Sequence, residues 1–177
     1  SALLMLATLG LNPDLGRYVE LPNFWMKVLF VAALAAIGVV LARRRSRPGV
    51  KLGRAPVTLA VPILVVWAIA LATLVPDNAA QRTEAFFGRT WAVCPLLIAM
   101  LSVPIFAGTT WAMRGLAPTR LRLAGAAAGL VSGGAGALVY CLHCPELTAP
   151  FIGFWYLLGV LIPTGIGALL GRRLLQW

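Results

Sequence analysis

An all-α, polytopic bundle of membrane-spanning helices is the fold class this sequence predicts, on three observations. Of its 177 residues, 60% are hydrophobic and only 11% charged, whereas soluble domains carry about a quarter charged residues. The charge-free stretches approach the length of about 20 residues that a helix, rising about 1.5 Å per residue, needs to cross about 30 Å of hydrocarbon. The alternating pattern of an outer-membrane barrel is missing, so helices that satisfy their own backbone groups are the remaining solution in lipid. A mean hydropathy of +0.90 agrees, and an ordinary soluble domain is excluded.

One integral membrane domain over residues 1–177 is expected, with six spans at about 1–11, 24–42, 57–76, 91–113, 123–144 and 150–171. The first, Ser1 to Leu11, is apolar but too short to cross. It lacks the basic start and small-residue cleavage site of a signal peptide, and is read as the end of a truncated helix. The second span extends its charge-poor stretch by borrowing residues 24–27. Pro62, Pro95, Pro104 and Pro163 interrupt later spans, and Pro104 is placed to kink the fourth. In the fifth, Gly125, Gly129 and Gly133 repeat every four residues, extended by Ala137, and the sixth ends with Gly167 and Gly171. Small residues on one face let helix backbones approach closely in lipid, which predicts a tight seam within the chain, with homodimerisation as the lesser reading. The connections are too short to fold alone.

The net charge of +10 is topological. Arg43, Arg44, Arg45, Arg47, Lys51, Arg54, Arg114, Arg120, Arg122, Arg172 and Arg173 all fall in one set of alternate loops, which contains no acid. The other set mixes Arg17, Lys27, Arg82 and Arg89 with Asp14, Glu20, Asp77, Glu84 and Glu146. The positive-inside rule puts the first set in the cytoplasm, with both termini. Phe24, Trp25, Trp91, Trp155 and Tyr156 gather toward the proposed outer ends, Trp111 and Trp177 toward the inner ones. Anionic lipid headgroups are the default partners of such loops, and direct nucleic-acid binding is not expected.

Chemistry gathers on the outer side. Cys94 opens the fourth span, and Cys141, His143, Cys144 and Glu146 close the fifth in the run Tyr140-Cys141-Leu142-His143-Cys144-Pro145-Glu146. Antiparallel neighbours bring these ends to one level, where two or three thiols, the single imidazole of the chain and a carboxylate form a ligand set suited to Cu(I), Zn(II) or Cd(II). Disulfides also persist in an extracytoplasmic compartment. Against this, cysteines are common in apolar helices, and C-x-x-C alone is a moderate signal. Pro145 is expected to end the helix and leave His143 and Cys144 in an accessible cap. Lys27 is expected to snorkel to the outer interface with Asp14 or Glu20. Rival classes are a membrane thiol-disulfide oxidoreductase and a thiophilic metal transporter. Three cysteines cannot make the two disulfides of a shuttle, and no acid lies within a span to couple ion movement.

Several segments together resemble a known family. They are Asn12-Pro13-Asp14-Leu15, Leu21-Pro22-Asn23-Phe24-Trp25-Met26-Lys27, Cys94 ahead of Leu101-Ser102-Val103-Pro104-Ile105-Phe106, Gly115-Leu116-Ala117-Pro118-Thr119, Leu123-Ala124-Gly125-Ala126, His143-Cys144-Pro145-Glu146 and Phe154-Trp155-Tyr156. In order and spacing the chain resembles the NrsF family, negative regulators of extracytoplasmic-function sigma factors. The resemblance implies a six-helix anti-sigma factor of the bacterial inner membrane, not an enzyme and without an obligatory cofactor, that frees its sigma factor under heavy-metal or related stress. It places the family's paired cysteines on Cys94 and Cys144 and gives Cys141 no role. The cytoplasmic segment ahead of the first helix, where much of the sigma contact is expected, is absent from this sequence. That leaves Arg43, Arg44, Arg45, Arg114, Arg120 and Arg122 as candidate cytoplasmic contacts.

Overall fold

The computed structural model describes residues 1–45, 55–75, 78–115 and 120–176, and among them every regular element is helical. Eight helices can be followed: α1 (Ala2–Thr8), α2 (Leu15–Tyr18), α3 (Pro22–Arg45), α4 (Ala55–Leu74), α5 (Ala79–Phe87), α6 (Cys94–Arg114), α7 (Leu121–Tyr140) and α8 (Ala149–Leu174). Five of these, α3, α4, α6, α7 and α8, are long and apolar enough to cross a membrane. The expected sixth is not among them, because α1 has seven residues and rises only about 10 Å. Arg47, Lys51, Arg54, Asp77 and Trp177, together with the side chain of Arg45, lie outside the described residues.

The central helix is α7, which packs against α3, α6 and α8, while α4 lies outside against α3 and the start of α8. Glycine chemistry decides this order. A Cβ on Gly125 or Gly129 would fall on the carbonyl oxygens of Gly167 or Pro163, and one on Gly133 would lie 2.8 Å from Val160 O. This face therefore meets α8 at backbone distance, as the seam within the chain requires. Gly134 meets α3, where a Cβ would be 2.8 Å from Ala35, and Gly136 meets the Ser102 turn of α6. Three faces of one helix are thus closed by removal of side chains, not by interlocking of large ones.

Local differences from the sequence expectation have local causes. Helix α7 stops at Tyr140 and not at 144: Pro145 disfavours helical backbone at the residue before it, so 141–144 form a turn. Helix α6 runs without interruption through Pro104. Helix α8 begins with one α turn, widens into a π segment over Ile152–Tyr156 and then continues as an α-helix. Helix α5 occupies the connection between the third and fourth expected spans. The Asn78 side chain accepts from the Gln81 N–H, and the Gln81 side chain accepts from the Asn78 N–H, a reciprocal cap that starts it.

Candidate functional site

The two cysteines implied as a pair arrive from opposite helix ends. Cys94 is the first residue of α6, its N–H held by the Thr90 carbonyl at 2.9 Å, and Cys144 ends the turn after α7, its N–H held by the Tyr140 carbonyl at 3.0 Å. Contact of α6 with α7 brings the two thiols into one buried cluster, close enough for each to act on the other's charge. The Thr90 hydroxyl lies 3.9 Å from the same sulfur. Cys94, Cys141 and Cys144 are all free thiols, each at most 2% exposed, in a core shared with Tyr140 and Tyr156. The accessible cap expected from Pro145 is therefore not found at Cys144. The segment that follows α1 is bonded to this turn through the Asn12 N–H on the Leu142 carbonyl, and Thr90 is beside Cys144.

Lys27 departs most from expectation. Instead of reaching the interface beside Asp14 or Glu20, it points into the bundle and is fully buried. Its ammonium donates to the carbonyls of Cys144 at 2.8 Å and Glu146 at 3.1 Å, and lies 5.6 Å from the Phe24 ring centre and 5.8 Å from that of Tyr156. The turn after α7 supplies carbonyls that its own helix no longer uses, and a buried ammonium requires such acceptors. Residues 24, 27, 31 and 34 share the buried face of α3, so the three-and-four spacing of Phe24, Lys27, Val31 and Leu34 is the signal that locates Lys27.

Charge sorts the thiols outside the spans. The Cys144 thiol is held down to about 6 by the neighbouring Cys94 thiol, by the charge of Lys27 and by the Tyr156 hydroxyl, against the opposing cost of burial. Burial pushes the Cys141 thiol up to about 12. The Tyr156 hydroxyl, also buried, has no geometric hydrogen bond among the described residues and lies near the Cys141 and Cys144 sulfurs.

The remaining candidates do not join a common ligand shell. His143 turns its Nδ1 to the Gly10 carbonyl at 3.1 Å, and the Glu146 carboxylate accepts from the Arg89 N–H at 2.7 Å, seated against Gly88, whose φ of +56° suits glycine. Among the described residues, no group of three or more His, Cys, Asp and Glu side chains is arranged to hold a metal ion. The five-residue set therefore does not fit a metal centre in this conformation, and the two sulfurs are what it brings together.

The arginines lie at the other ends of α6 and α7, about 30 Å away by helix length. Arg114 donates from Nε to the Leu174 carbonyl, while Arg120, Arg122 and Arg172 line one hollow of about 490 Å³. Arg43 is exposed and Arg44 half-buried at the end of α3.

A multi-span helical protein with a buried dithiol at one end and a cationic surface at the other is the class defined by this geometry. Across residues 1–177 the chain matches the family model NrsF, described as negative regulator of sigma F, and it belongs to that family. It is 56% identical over 177 residues to the probable anti-sigma-F factor NrsF of Azospira oryzae, covering all of this chain and 83% of that protein. It is 42% identical over 178 residues to the anti-sigma-F factor NrsF of Caulobacter vibrioides, covering 99% and 82%. No solved structure matches.

Proposed function

We propose that this chain is an anti-sigma factor of the bacterial inner membrane that holds an extracytoplasmic-function sigma factor on its cationic, cytoplasmic side and lets it go when thiol-directed stress reaches Cys94 and Cys144 on the periplasmic side. Family membership and the names of the two relatives support the regulatory part. The observation that carries the sensing part is the convergence of two thiols, fifty residues apart in sequence, at the end away from Arg114, Arg120, Arg122 and Arg172. Arg43, Arg44, Arg45, Arg114, Arg120 and Arg122 mark the side facing the sigma factor, by the excess of cations in cytoplasmic loops.

The chemistry is a two-electron oxidation. The Cys144 thiolate attacks one oxygen of a hydroperoxide, the O–O bond breaks, and the leaving oxygen departs as water or alcohol after taking a proton. The Cys94 sulfur then displaces hydroxide from the resulting sulfenic acid; its thiol proton completes the departing water, and the S–S bond closes. Heavy-metal stress acts on the same two sulfurs, since thiolates are ligands for soft ions. Either event draws the start of α6 and the turn after α7 together. These elements contact each other along their length, so their arginine-bearing ends change position with the sulfurs.

The test is co-purification of the sigma factor with the full-length protein from membranes treated with hydroperoxide, for wild type and for the double replacement Cys94→Ser, Cys144→Ser. Loss of sigma factor from wild type and retention by the double variant is expected. Equal release from both would overturn the sensing role.

A further inference from the structure

We propose that Lys27 is the positioning residue of the dithiol: its buried ammonium holds the Cys144 turn onto α3 and supplies the fixed positive charge that draws anionic reagents to the Cys144 sulfur. This deepens the reading of Cys94 and Cys144 as a reactive pair and rests on it. Three observations carry it.

The ammonium is fully buried, whereas Arg43, Arg44, Arg114, Arg122, Arg172 and Arg173 stand at the far ends of their helices, and a buried ionisable group in a span is costly unless satisfied. Its hydrogen-bond partners are carbonyls and not carboxylates, while the Glu146 carboxylate is occupied by the Arg89 N–H. Among the described residues the positive charge is thus solvated but not neutralised, and it acts on the Cys141 and Cys144 sulfurs. Finally, the buried Tyr156 hydroxyl lies near the Cys141 and Cys144 sulfurs, a second donor at the place where an incoming negative group would arrive. A cation, two carbonyl anchors and a buried hydroxyl donor around a sulfur form an environment complementary to negative charge.

The roles of anchor and charge are separable by substitution. Lys27→Arg keeps both charge and donors. Lys27→Gln keeps a donor but removes the charge. Lys27→Met keeps the apolar stem and removes both.

The experiment measures alkylation of Cys144 in the full chain, in lipid nanodiscs, by iodoacetate and iodoacetamide, with the modified peptide quantified by mass spectrometry. The two reagents have nearly the same size and differ in charge, so the ratio of their rates cancels the opening motion that both require. In wild type the ratio should exceed that of the same cysteine in the detergent-denatured chain. It should fall about tenfold in Lys27→Gln and Lys27→Met, the order expected for unit charges several ångströms apart at intermediate dielectric, and stay within about twofold of wild type in Lys27→Arg.

A folded Lys27→Gln protein with an unchanged ratio would overturn the proposal. Should neither neutral variant fold, the wild-type comparison decides, because a ratio no higher than in the denatured chain overturns it equally. The measurement involves no sigma factor. A cysteine double variant that still releases sigma factor would therefore end the sensing role without touching this result, and an unchanged alkylation ratio would end the role of Lys27 without touching sensing.

Discussion

At the scale of single residues, the site depends on how differently three similar thiols are placed. Cys144 has a second thiol and a buried cation beside it, and Cys141 has burial as its leading influence. A thiol lowered from the ordinary 9.0 to about 6 contributes folding stability that is fully present above 9 and is lost as pH falls through 6. The difference in thermal midpoint between wild type and Cys144→Ala, measured in detergent from pH 5 to 9, should therefore grow as pH rises. A flat difference would mean that the native thiol has an ordinary affinity for its proton. The positions of Cys94 and Cys144 were legible in the sequence because helix ends on one side of a membrane share a level. The direction of Lys27 was not, although its spacing with Phe24, Val31 and Leu34 holds the signal. In a span, lipid-facing positions are apolar too, as Trp25 and Leu29 are here, so the pattern carries no contrast between inside and outside.

At the scale of elements, the glycine seam is where sequence and structure agree most closely. Four-residue spacing on one helix and a matching pair on the next specify backbone contact in lipid, where small residues replace the hydrophobic drive available in water. Gly129→Ala places a methyl group on the Pro163 carbonyl and about 2.6 Å from the Thr164 Cα. Backbone cannot yield as a side-chain tip does, so a loss of about 1–3 kcal/mol is expected, the usual cost of overpacking, with a lowered thermal midpoint. The same substitution at Gly165, where a Cβ meets nothing within 4 Å, should leave the midpoint near wild type. Equal effects at the two positions would mean that α7 and α8 are not in contact there. The reciprocal Asn78–Gln81 cap of α5 was readable from its spacing. The π segment of α8 was not, because one added residue per turn leaves no compositional mark, although Tyr156 reaches the thiols from it.

At the scale of the whole molecule, the acid-free cationic loops and the thiols occupy opposite ends of one bundle. The loops on the cationic side contain no acid anywhere in the sequence, and the described cysteines, Lys27 and Glu146 meet at the other end. Composition was enough to predict a helical membrane bundle, since hydropathy and charge asymmetry are summed over many residues and survive local error. It did not reveal that α7 would be the axis around which α3, α6 and α8 assemble, a property that depends on three glycine faces at once. The bundle joins the two ends through α6 and α7, each of which begins or ends beside a cysteine and reaches an arginine.

Mapping sulfur linkage in intact membranes while sigma factor is being released tests this arrangement most directly. Samples quenched with an alkylating agent during hydroperoxide treatment should yield a peptide joining Cys94 to Cys144, with Cys141 still a free thiol, and its abundance should rise in step with sigma factor leaving the membrane. Release that runs to completion while Cys94 and Cys144 both remain alkylatable would contradict it.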